Sequence, residues 1–173
     1  LIPAAIYALK NQKRVVISTN TINLQEQLCK KDVPILVEAL NGIDDISAKE
    51  LRFTQLKGRA NYLCLQRWNN FHMNEVLSEN EAIILAKIRV WLQNTDSGDR
   101  SELNLGNAAS MWERLSAQGA MKCPGIKGPC FLRAAREKAT AAHLVITNHA
   151  LLLSDLVTGG SILPDYDVLI VDE

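Results

Sequence analysis

The chain has 173 residues, 47% of them hydrophobic, and 19 basic side chains offset 19 acidic ones to give zero formal charge. That length and composition support a core of one domain or slightly more, and they exclude a disordered tail, a collagen-like fibre and a disulfide-dense secreted module. No apolar run reaches the roughly 18 residues that a membrane span needs.

Leu1 to Asn11 is an apolar, helix-like run in which Pro3 is tolerated near the helix start or as a kink. Arg14 to Ser18 is β-branched and predicts a strand. Thr19-Asn20-Thr21 then supplies N-cap chemistry for a helix from Ile22 to Cys29. Pro34 to Leu40 reads as a second short helix closed by Asn41-Gly42, and Leu51 to Leu56 as a strand. Glu79 to Gln93 carries the apolar pattern of a helix with one buried face. The polar, Gly-bearing stretch Asn94 to Gly106 reads as a loop, and Ala108 to Gln118 as a short helix. Cys123 to Pro129 holds two Pro and two Gly and is irregular, whereas the Ala- and Arg-rich Phe131 to Ala142 is strongly helical. His143 to Thr147 and Val168 to Val171 are two further strands. Strand–helix alternation at both ends predicts an α/β fold on a parallel sheet, with a mostly helical insertion over residues 57 to 142. The first residue is Leu1, no signal-peptide pattern follows it, and the chain stops on Asp172-Glu173 straight after a buried-strand run, so both ends read as cuts.

Zero net charge conceals a pattern. Residues 51 to 70 hold four basic side chains and no acidic one; residues 121 to 150 hold five basic and one acidic; residues 151 to 173 hold five acidic and none basic. The two basic segments flank Cys64, Cys123 and Cys130, and they suit either a phosphate-binding groove or an ordinary solvated face. Thiolates so placed suit an iron–sulfur cluster or zinc, although neither spacing is a Cys-x-x-Cys and three unrelated thiols fit equally well. The fourth cysteine, Cys29, falls on a helix among polar neighbours and reads as a half-buried structural residue. At the far end, Asp172 and Glu173 follow a Leu-Ile-Val strand. A carboxylate pair at the C-terminal edge of a parallel sheet is where an ATP-hydrolysing protein holds Mg²⁺ and orients water, and it is also how a strand runs into a polar turn.

Taken in order, these segments resemble the DinG/XPD group of superfamily 2 DNA helicases, which carry an iron–sulfur cluster. Val15 to Leu28 resembles the family's motif Ia. Leu56-Lys57-Gly58-Arg59-Ala60-Asn61-Tyr62-Leu63-Cys64 resembles the segment bearing the first cluster cysteine. Cys123-Pro124 through Gly128-Pro129-Cys130-Phe131, followed by Arg133 and Arg136, resembles the segment bearing the last ones. Ile146 to Leu153 resembles a stretch typical of DinG-like members, and Val171-Asp172-Glu173 the opening of the Asp-Glu-Ala-His box.

The resemblance implies a partial RecA-like motor domain over 1–56 and 143–173, interrupted by an iron–sulfur-type insertion over 57–142. It implies ATP and Mg²⁺ as cofactors, with Asp172 helping to hold the metal and Glu173 positioning water. It implies a [4Fe–4S] cluster on Cys64, Cys123 and Cys130. The fourth ligand is unknown, because Ser116 to Lys122 contains neither Cys nor His. It implies single-stranded DNA and DNA junctions as partners, contacted by Thr19, Asn20, Gln25, Lys57, Arg59, Tyr62, Arg133 and Arg136. The expected activity is 5′-to-3′ unwinding in DNA repair, in a cytoplasmic, bacterial-type setting, with no obligate protein partner and no membrane. No Gly-rich phosphate loop is present, so the chain by itself is not expected to hydrolyse ATP. The alternative is a non-motor module that binds nucleic acid and holds zinc or an iron–sulfur cluster.

Overall fold

The computed structural model describes residues 1–41, 48–74, 78–105, 109–119 and 128–172. Gly42, Cys123 and Glu173, each singled out from sequence, lie outside the described residues. The chain divides into two compact units, Leu1–Lys57 with Ala135–Glu173, and Gly58–Ala134.

The first unit is a mixed α/β structure on a four-stranded, wholly parallel sheet. Its strands are β1 (Val15–Thr19), β2 (Phe53–Gln55), β3 (Leu144–Asn148) and β4 (Val168–Asp172), in the order β2-β3-β1-β4. The two central strands are buried almost throughout, as a parallel sheet covered on both faces requires. On one face, α1 (Ile2–Asn11) and α3 (Val33–Leu40) bury Ala5, Ala8, Val33, Leu36 and Leu40 against Val15, Ile17, Leu144 and Ile146. On the other, α7 (Phe131–Ala141) and α8 (His149–Val157) bury Ala139, Leu151 and Leu152 against Val16 and Val145.

Two sequence expectations change here. The helix from Ile22 and the helix from Pro34 are one continuous run. α2 (Ile22–Gln27) passes through a π turn, Leu28–Asp32, straight into α3. Pro34 lacks an amide hydrogen and its ring crowds the carbonyl four residues back, and the wider π turn ahead of it carries the helix across that fault. α8 was also not foreseen as a helix, since its triple Leu reads equally well as a continuation of β3. Asn148 starts it, accepting a 2.9 Å hydrogen bond from the Leu151 amide.

At the opposite end of this sheet, two arginines satisfy the C-terminal carbonyls of α7. Arg14 donates to the carbonyls of Thr140, Ala142 and Asp165, and Arg52 to that of Ala141. Burial and the neighbouring Arg52 guanidinium hold His143 below its ordinary value.

The second unit is helical: α4 (Leu65–Asn74), α5 (Glu79–Leu92) and α6 (Ala109–Leu115). Its core is Leu63, Trp68, Phe71, Leu85, Ile88, Met111, Trp112 and Leu115. α4 was not foreseen, although Leu65, Trp68 and Phe71 recur at the three-residue spacing of a helix face. α5 opens with a full capping box, Ser78 and Glu81 each bonding the other's backbone amide. Isolated bridges Tyr62 with Asp99 and Leu63 with Ser116 tie the segment before α4 to the loop after α5 and to the end of α6. Trp112 donates its indole hydrogen to the Ala60 carbonyl at 2.7 Å. Among the described residues no helix is long and apolar enough to cross a membrane.

Candidate functional site

Parallel strands deliver their last residues to one edge, which is where open α/β sheets bind ligands. Here the register aligns Thr19 with Asn148 on one side and with Asp172 on the other. Three neighbouring strands therefore end in a hydroxyl, an amide and a carboxylate side by side. Asp172 is exposed. An exposed carboxylate at that edge is a hard oxygen donor of the kind Mg²⁺ takes.

The turn after β1 is held from within. The buried Thr19 hydroxyl stands 3.1 Å from the Thr21 carbonyl and 3.4 Å from that of Thr147, and donates toward them. Thr21 caps α2 by accepting from the Leu24 amide at 3.2 Å. Asn20, between them, is exposed. Ser18, wholly buried on β1, lies with its Oγ 2.6 Å from Nδ1 of His149, the first residue of α8. Neither Ser18 nor His149 was picked out as a site residue from sequence. The one available signal was that His149 falls within the Ile146-to-Leu153 stretch.

Gln25 and Lys57 occupy different positions from those their expected role suggests. Gln25 is 0% exposed, and its amide donates to the Leu56 carbonyl at 2.9 Å and the Ile146 carbonyl at 2.8 Å. It clamps α2 onto the residue that follows β2 and onto the middle of β3, and its Oε1 is buried without a hydrogen-bond partner. The Lys57 side chain is 0% exposed and its ammonium pairs with Glu26 Oε1 at 2.8 Å, while Lys30 takes the other oxygen at 2.9 Å. A buried ammonium is tolerable only with such a partner.

The clamp makes a test. Gln25→Leu should lower stability by roughly 1–3 kcal/mol, because the Leu56 carbonyl loses a donor in a buried setting. Gln25→Glu should cost more, since it turns a carboxylate on two carbonyls. Urea unfolding followed by far-UV circular dichroism reads the loss. A Gln25→Leu chain with unchanged stability would remove the clamp role.

Of the remaining candidates, Arg136 is in the first unit, half-buried, with its Nε buried and without a hydrogen-bond partner. Arg59, Tyr62 and Arg133 are in the second. Arg59 and Arg133 are exposed and Tyr62 is 3% exposed. Cys64 and Cys130 are half-buried in the second unit. Cys29 packs against the core of the first unit, and burial pushes its thiol up to about 12, which makes it a poor thiolate donor. Among the described residues, no group of three or more His, Cys, Asp and Glu side chains is placed to hold a metal ion.

No protein-family model matches the chain. Curated relatives match it along its whole length. It is 36% identical to the ATP-dependent helicase DinG of Mycobacterium tuberculosis, over 100% of this chain and 28% of that protein. It is 34% identical to the ATP-dependent DNA helicase YoaA of Haemophilus influenzae, over 100% of this chain and 27% of that protein. It is also 34% identical to the 3′-5′ exonuclease DinG of Bacillus subtilis, over 100% of this chain and 18% of that protein. The chain is thus homologous to DinG- and YoaA-type proteins over a region that makes up between about a fifth and just over a quarter of their length.

Proposed function

We propose that the chain is part of the first, RecA-like motor domain of an ATP-dependent DNA helicase, with residues 57–142 as its cluster-type insertion. The observation that carries this reading is the register that aligns Thr19, Asn148 and Asp172 at the C-terminal edge of a parallel sheet, in a chain homologous to DinG- and YoaA-type helicases. Asp172 would help hold Mg²⁺, and Glu173 would orient the attacking water. The metal, when bound, neutralises phosphate charge. Asn20, exposed at the end of β1, would hold a DNA phosphate, while the wholly buried Thr19, expected from sequence to share that contact, would instead fix the turn from within. Arg59 and Arg133 on the second unit, and Arg136 on the first, would each add a phosphate contact. Gln25 and Lys57 would brace α2 within the first unit, through the clamp and the Glu26 ion pair.

The sequence resemblance alone would assign a cluster to three thiolates, Cys64, Cys123 and Cys130. Two of these are half-buried in the second unit and the third lies outside the described residues. They do not supply four thiolates, since Cys29 belongs to the core of the other unit. A bound cluster would brace the helical insertion.

The test is ATP hydrolysis by the full-length protein with and without single-stranded DNA, together with unwinding of a duplex bearing a 5′ single-stranded tail. DNA-stimulated hydrolysis and strand separation are expected. A full-length protein that binds DNA, contains zinc and hydrolyses no ATP would overturn the reading in favour of a non-motor module.

A further inference from the structure

We infer that His149 is a positioning residue: through Ser18 it sets the end of β1, and so the contact of the exposed Asn20 to DNA. The inference rests on the helicase reading and adds to it a residue that acts through Ser18. Ser18 is wholly buried, and a hydroxyl in that setting needs a partner. His149 Nδ1 provides one at 2.6 Å, from a different element and 131 residues further along the chain.

The imidazole is itself held from behind. It opens α8, whose start is fixed by the Asn148 cap and whose Leu151 and Leu152 are locked into the core. Ser18 pairs in register with Thr147, and the next residue, Thr19, directs its hydroxyl to the Thr147 carbonyl. Beyond their backbone ladder, the ends of β1 and β3 are linked by two side-chain ties: the short Ser18–His149 bond, and the longer contact of the Thr19 hydroxyl, shared with the nearer Thr21 carbonyl, to the Thr147 carbonyl. Directly beyond that double tie the chain turns through the exposed Asn20 to the Thr21 cap. Releasing one tie frees the turn that presents Asn20, while Asp172 on β4 keeps its own pairing to β1.

The experiment uses the full-length protein and measures the single-stranded DNA concentration that half-saturates ATP hydrolysis, the KM for ATP and kcat at saturating DNA, with thermal unfolding alongside. Ser18→Ala and His149→Leu should each raise the half-saturating DNA concentration about 5–10-fold, as expected for one lost hydrogen bond. The double variant should be no worse than either single one. KM for ATP and kcat should stay within about twofold. His149→Asn, which keeps a polar atom where Nδ1 stood, should recover most of the DNA affinity, and His149→Gln, which mimics Nε2, should not. A His149→Leu enzyme with unchanged DNA dependence would overturn the inference, and so would an Asn variant no better than Gln. If His149→Leu fails to fold, the Asn-against-Gln comparison decides alone. A wild-type protein whose hydrolysis ignores DNA overturns the helicase reading itself, and this inference with it.

Discussion

On the proposed helicase reading, Asp172→Asn in the full-length protein should lower ATP turnover on the order of 100-fold, a loss of about 3 kcal/mol of transition-state stabilisation. The substitution is nearly isosteric and removes only the charge. Asp172 is exposed at the end of β4, so fold stability should move by no more than about 0.5 kcal/mol. Binding of single-stranded DNA should stay within about twofold, because the side-chain ties that hold the proposed Asn20 contact at the end of β1 do not involve Asp172. Steady-state ATP hydrolysis and fluorescence anisotropy on a labelled oligonucleotide check both halves. Turnover at the wild-type rate would mean that the carboxylate edge of this sheet is not an ATP site.

Gly98→Ala should destabilise the helical unit by about 2–5 kcal/mol. Gly98 has φ +62°, a left-handed conformation that costs an L-residue roughly 1–2 kcal/mol. A Cβ there would also overlap Cγ and Cδ2 of Phe131 and stand 2.7 Å from its Cβ. Overpacking of this kind adds roughly 1–3 kcal/mol. The backbone at Gly98 cannot simply move away. Its amide donates to Thr95 Oγ1 at 2.9 Å, and its carbonyl accepts from the Leu63 amide at 2.9 Å. All three tryptophans, Trp68, Trp91 and Trp112, belong to this unit, so urea unfolding followed by tryptophan fluorescence reports on it selectively. Combining Gly98→Ala with Phe131→Ala should cost less than the sum of the two single changes, since the second removes the ring that the first strikes. Strict additivity would show that Phe131 is not the obstacle.

Much of the first unit was legible in local sequence. The runs Arg14 to Ser18, His143 to Thr147 and Val168 to Val171 read as strands from their β-branched, apolar character, and all three are strands, but only β1 and β3 are buried; β4, read as a buried strand, lies at the sheet edge with Leu169 and Val171 exposed. Strand–helix alternation made the sheet parallel, and a parallel sheet brings its strand ends to one edge. Thr19 and Asp172 could therefore be expected near one another before any coordinates. The helix over Glu79–Leu92 was legible for the same reason: its period, and the Ser and Glu of its capping box, are local.

What local pattern could not reveal was how individual polar residues are used. Gln25 on a polar-looking helix suggests an exposed contact. It is buried because its amide donates to the Leu56 and Ile146 carbonyls, which lie 31 and 121 residues away in sequence. Lys57 in a basic segment suggests a phosphate contact. It is buried because Glu26, 31 residues earlier, neutralises it. The length, the neutral balance and the periodicity thus determined an α/β chain with a helical middle. The strand order β2-β3-β1-β4, the Gln25 clamp and the Ser18–His149 tie were decided only by tertiary structure, because each joins residues whose proximity no local period encodes.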